Sequence, residues 1–140
     1  MLISKVTYSG DLRSEATHVR SGSVIINDAP PDNQGKGEAF SPTDMVATAM
    51  ATCMLTIMGI AARRHEIDIK GTTVDVGKVM ADNPRRISEI HCTLAIPDRG
   101  LSDKDKILLE NAGRTCPVIQ SLSPEIRKVI QFTYKKIKKA

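Results

Sequence analysis

Between Met45 and Ala62 the chain carries no charged residue, and Ala, Met, Leu, Ile and Val fill most positions around a helical wheel. A stretch of that kind has few stable places to go, because a helix apolar on nearly all sides must be covered on nearly all sides. Its start is marked: Ser41 can cap, Pro42 suits the first helical position, and Asp44 stands where a capping box wants an acid. Arg63-Arg64-His65 mark its end, with positive charge placed for the C-terminal dipole. A membrane span needs roughly 18 to 20 apolar residues. The run only just reaches that, and it holds Thr48, Thr52, Thr56 and Gly59 among neighbours patterned as a soluble fold. The reading is a long, fully buried central helix. A single sheet covers one face of it, so a second subunit is expected to cover the other in an extensive homodimer; the competing arrangement lets the second helix do all the covering.

The flanking sequence supplies the sheets. Leu2 to Tyr8, Leu12 to Val19 and Ser23 to Asn27 read as three short strands in an antiparallel meander, with Ser9-Gly10-Asp11 and Ser21-Gly22 at the turns. Asp28 to Phe40, with Pro30-Pro31 and Gly35-Lys36-Gly37, is loop chemistry of unusual length, and long ordered loops often line a site. After the helix, Ile67 to Met80 and Ile87 to Ile96 alternate as two long strands around the turn Ala81-Asp82-Asn83-Pro84. Ser102-Asp103 opens a second helix that Gly113 can end, and Ile126 to Tyr134 reads as a last strand. That order makes an α+β fold, and 140 residues make one domain, 1–140.

Charge and cysteine usage narrow the classes. The formal charge of +4 is mild, and much of it lies in Lys135-Lys136-Ile137-Lys138-Lys139, read as a solvated terminus. Tyr8, Tyr134, Phe40 and Phe132 are the only aromatics, so there is little to stack on bases, and no nucleic acid or membrane partner is expected. Three cysteines with no apolar leader at the start argue for a reducing cytoplasm over a secreted disulfide framework.

The thiols sit in unlike contexts. Cys53 lies mid-helix beside Met50, Met54 and Ile57, where a cysteine is more often a small core hydrophobe than a nucleophile. Desolvation works against a thiolate, so reactivity there asks for a nearby cation. An arginine suits that role, and Arg13, Arg20, Arg63, Arg64 and Arg114 are available. Cys116 opens Cys116-Pro117-Val118-Ile119-Gln120, where Thr115 or Cys116 can cap a short helix and put the sulfur near free backbone N–H groups. Cys92, in an alternating strand, reads as structural. The histidines lie far apart and no close-spaced CxxC or HxxH pair occurs, so no metal site or bound cofactor is expected.

Taken together, Tyr8-Ser9-Gly10-Asp11-Leu12-Arg13, the Gly-rich loop leading to Ser41-Pro42-Thr43-Asp44, the Ala-rich helix with Cys53, and Arg114-Thr115-Cys116-Pro117-Val118 resemble the OsmC/Ohr superfamily over nearly the whole chain. The resemblance implies an OsmC-like α+β fold of antiparallel sheets around a long buried helix, in an intertwined homodimer with active sites at the subunit interface. It implies a cysteine-based peroxidase for organic hydroperoxides, reset by an external dithiol such as a reduced lipoyl group. By the same resemblance Cys53 matches the peroxidatic cysteine, Cys116 the resolving one, and Arg13 the arginine that stabilises the thiolate. The peroxidase branches orient that arginine with a glutamate near the start of the helix; here Thr43 and Asp44 stand there, which makes Asp44 the substitute and Glu38 a second candidate. Asp44 has an equally good reading as a helix cap. The departure places the chain nearer the general OsmC-like members. A methionine-rich setting for Cys53 favours an alkyl hydroperoxide, since buried apolar surface contributes about 25 cal/mol per Å². A non-enzymatic binder of small ligands and a disulfide-controlled sensor stay open at this point.

Overall fold

The computed structural model describes residues 1–138. The order of elements is β1 (Ser4–Gly10), β2 (Arg13–His18), β3 (Val24–Asp28), α1 (Pro42–Arg64), β4 (Thr73–Ala81), β5 (Arg86–Asp98), α2 (Asp103–Arg114), α3 (Pro117–Ser121) and β6 (Arg127–Lys136), with one 3-10 turn at Pro31–Asn33. This is the expected α+β architecture: two three-stranded sheets and a long central helix. The chain groups into two compact units, Met1–Val46 and a second beginning at Ala47.

The first unit is the antiparallel meander β1-β2-β3. Gly10, Asp11 and Leu12 all take positive φ in the first turn, which sets β2 to begin at Arg13. In the register of β2 against β3, Arg13 lies opposite Asp28. The loop after β3 folds back on the strand ends: Asp28 N–H donates to the Phe40 carbonyl and Gly37 N–H to the Ala29 carbonyl. Gly35 makes that return possible, since a Cβ there would fall 1.7 Å from the Ala29 carbonyl oxygen.

The second unit is built on β5. Ile90, Cys92, Leu94 and Ile96 alternate along it and are wholly buried, as the two-residue period of a half-covered strand requires. Against them α1 lays a stripe of Ala47, Met50, Ala51, Met54, Met58 and Ala62 at helical spacing. Each buried methionine contributes about 1.5–3 kcal/mol. β4 pairs antiparallel with β5, whereas β6 runs parallel to it, a departure from the all-antiparallel pairing expected. The reason is the crossover: α2 and α3 carry the chain back before β6 begins, so it enters in the direction of β5.

Burial of α1 is one-sided within the chain. It is long and apolar enough to cross a membrane, yet 33% of its most apolar stretch is buried, and Val46 and Ile60 are exposed. The helix expected to be buried all round is therefore buried along one face by its own chain. At the C-terminal end β6 takes in Lys135 and Lys136, and Lys138 is exposed; Lys139 of the expected solvated tail lies outside the described residues.

Candidate active site

The junction of two helices brings Cys116 to Cys53 in the second unit. Cys53 rides on α1 between the buried Met50 and Met54 and is itself half-buried. α2 closes with Thr115 as its C-cap, whose hydroxyl donates to the Asn111 carbonyl, and Cys116 follows at once as N-cap of α3 with extended backbone (φ −66°, ψ 151°). Pro117 holds the first position of α3, where its missing N–H costs nothing. Val118 N–H then donates to Cys53 Sγ at 3.5 Å, across 65 positions of sequence. That N–H, two residues after Cys116, makes the Cys116 and Cys53 side chains neighbours, and both are free thiols.

Cys116 is wholly buried, and burial pushes its thiol up; the neighbouring Cys53 thiol adds to that, while the Ile119 and Val118 N–H groups pull the other way. Cys116 is thus held protonated at neutral pH. Cys92 on β5 is buried too, and desolvation, with a smaller effect from Cys116, pushes it up to about 11. Of the other arginines, Arg114 lies over the Phe132 ring at 5.2 Å, and Arg20, Arg63 and Arg64 are exposed. Among the described residues no group of three or more His, Cys, Asp or Glu side chains could hold a metal ion.

The first unit holds Arg13. Its Nε donates to Asp28 Oδ1 at 2.6 Å and its Nη2 to Asp28 Oδ2 at 2.8 Å, while Glu38 Oε2 stands 3.7 Å from Nη2. Asp28 Oδ2 also accepts the Glu38 N–H at 3.1 Å. The hydrogen bonds and charge of Arg13, with the Glu38 N–H, hold Asp28 below its ordinary range even though it is 2% exposed; Asp28 in turn raises Arg13. Asp44 forms the reciprocal cap that its sequence position suggested: its carboxylate accepts the Ser41 N–H at 2.9 Å and its own N–H donates to Ser41 Oγ at 3.0 Å. Asp28 is absent from the sequence-derived candidates because the composition there reads as the start of the loop. Extending β3 by one residue would have placed it on the same face as Arg13.

Comparison with known proteins fits this architecture. The family described as OsmC-like protein matches residues 35–130, more than half the chain. The chain belongs to the OsmC-like family. A Psychrobacter arcticus 273-4 protein named for osmotic stress induction and a detoxification response is 55% identical, with 94% of this chain and 96% of that one aligned at a TM-score of 0.90. The OsmC-like protein of Mycoplasma pneumoniae shares the fold at 18% identity (TM-score 0.77, 94% of each chain). So does an organic hydroperoxide resistance protein OsmC from Legionella pneumophila at 14% identity (TM-score 0.70, 95% of this chain and 98% of that one). A comparison with curated proteins finds no match. It is in this OsmC-like chain that Cys53 and Cys116 come together.

Proposed function

We propose that this OsmC-like protein is a thiol peroxidase that reduces organic hydroperoxides through Cys53 and Cys116. The observation that carries the reading is the meeting of the two thiols, remote in sequence, at the start of α3. In the proposed cycle the Cys53 thiolate attacks the distal peroxide oxygen, the O–O bond breaks, and an alcohol leaves after taking up a proton. The Cys53 sulfenic acid then condenses with the Cys116 thiol: an S–S bond forms and water departs with the Cys116 proton. An external dithiol, for which a lipoyl group is the proposed chemistry, reduces the disulfide. No bound cofactor takes part. Arg13 is assigned to the thiolate, and Glu38 and Asp44 remain the acids proposed from the family pattern. The preference proposed for an alkyl substrate over hydrogen peroxide rests on the apolar setting of Cys53, with Met50 and Met54 themselves wholly buried in the core.

The reading includes a homodimer in the cytoplasm, with neither nucleic acid nor membrane as partner. Its support is apolar surface that one chain leaves open. Val6 (64% exposed), Tyr8 (65%) and Ile25 lie on one face of the first sheet, Val24 and Ile26 on the other, and Val46 and Ile60 on α1. Reaction of the reduced protein with one equivalent of cumene hydroperoxide, followed by non-reducing peptide mapping, tests the cycle. The expected product has lost two hydrogens at a Cys53–Cys116 bridge, and a dithiol restores it. Oxidation scattered over all three cysteines would point instead to a fold kept for ligand binding.

A further inference from the structure

The arginine of the proposed cycle has a buried partner that the family pattern did not indicate. We propose that Asp28 is the positioning residue for Arg13, fixing the plane of its guanidinium so that the Nη1 edge is presented to an anion. The inference rests on the reading that Arg13 serves the Cys53 thiolate.

Strand register creates the pair. Arg13 and Asp28 are directly opposite on β2 and β3, so both side chains rise from the same face at neighbouring positions. The contact is bidentate along one edge, Nε to Oδ1 and Nη2 to Oδ2. Two parallel charge-assisted bonds define a plane, where a single bond would leave a hinge. Asp28 cannot swing to accommodate a different arginine position, because it is 2% exposed and Oδ2 is also held by the Glu38 N–H. That N–H is delivered by the loop that Gly35 folds against Ala29, so the long loop closes over the carboxylate.

The pairing leaves a definite remainder. Nη1 makes no hydrogen bond with any described residue, and it lies off the Nε/Nη2 edge that Asp28 occupies. The Arg13 side chain is 35% exposed and so is not sealed off by the pairing. The Arg13–Asp28 pair is formally neutral, so what Asp28 supplies is direction rather than charge. Glu38 approaches the same guanidinium only at 3.7 Å and is 63% exposed, a geometry in which solvent screens most of the interaction. Asp44 gives its carboxylate to the Ser41 N–H. The contact that Asp28 makes with Arg13 is both bidentate and buried.

The test is the pH dependence of Cys53 alkylation by iodoacetamide on the full chain, resolved by peptide so that Cys92 and Cys116 are scored separately. It is run on wild type, Asp28→Asn, Arg13→Lys, Arg13→Ala and the double variant Asp28→Asn/Arg13→Ala, with circular dichroism to confirm folding. Asp28→Asn keeps size and shape, and Arg13→Lys keeps the charge while losing the fork. Both are expected to move the Cys53 profile up by about one pH unit, a tenfold loss of reactivity at neutral pH. The double variant is expected to match Arg13→Ala, because a residue acting through Arg13 has nothing left to position. A wild-type profile in folded Asp28→Asn, losses that add in the double variant, or no effect of Arg13→Ala would each overturn the proposal. If Asp28→Asn does not fold, Arg13→Lys decides alone, and a wild-type profile there is equally fatal. Failure of the peroxidase reading looks different: a Cys53 profile that depends on Asp28 and Arg13 in a protein that hydroperoxides do not oxidise.

Discussion

At the scale of single residues the two thiols of the pair are dissimilar by construction. Cys53 is half-buried and receives a backbone N–H, whereas Cys116 is wholly buried and held protonated. That asymmetry suits a division in which one sulfur meets the oxidant and the other waits to condense with it. Cys116→Ser is therefore expected to leave the first oxidation of Cys53 within about twofold of wild type while abolishing the disulfide, because serine cannot supply a second sulfur; trapping the sulfenic acid with dimedone checks this. Cys92 leads to a prediction about stability. Its folded value of about 11 exceeds that of an ordinary thiol, so between the two the folded state binds the extra proton. The stability it contributes is complete below the ordinary thiol value of about 8.5 and is lost as pH rises towards 11. Stability in denaturant melts should fall from pH 8 to 11, and that of Cys92→Ala should fall less steeply. The sequence showed which residues are thiols and what precedes each of them. It could not show Cys53 against Cys116, because that contact exists only once α2 and α3 have turned the chain back on α1.

Among elements, α1 was the most legible part of the molecule. Its cap, its uncharged run and its basic end are all local signals, and they are found at Ser41/Asp44, along the stripe from Ala47 to Ala62, and at Arg63/Arg64. Ser41→Ala should lower stability by about 1 kcal/mol in chemical denaturation, with the Cys53 alkylation profile unmoved if the cap is the whole contribution of that turn. The hairpin of β4 and β5 was legible for a similar reason, since alternation reports a half-covered strand wherever it falls. The direction of β6 was not, because its pattern is the same for parallel and antiparallel neighbours. Only the crossover through α2 and α3 decides between them. Asp28 was missed at the same scale: strand ends are blurred by a residue or two, and here the last residue of β3 carries the charge.

For the whole molecule, the unanswered demand is apolar surface. α1 is covered along one stripe, and the first sheet exposes apolar side chains on both faces, Val6, Tyr8 and Ile25 on one and Val24 and Ile26 on the other. A second copy is the proposed occupant. Light scattering should give twice the chain mass, and Val6→Lys combined with Ile25→Lys, two charges on one open sheet face, should shift the protein towards monomer and aggregate. The central claim, however, concerns the thiols, and peptide mapping of the reduced protein after a single equivalent of an organic hydroperoxide tests it most directly. The expected result is a Cys53–Cys116 disulfide formed rapidly, with Cys92 untouched and full recovery with a dithiol. No oxidation, or slow oxidation shared by all three cysteines, would contradict it.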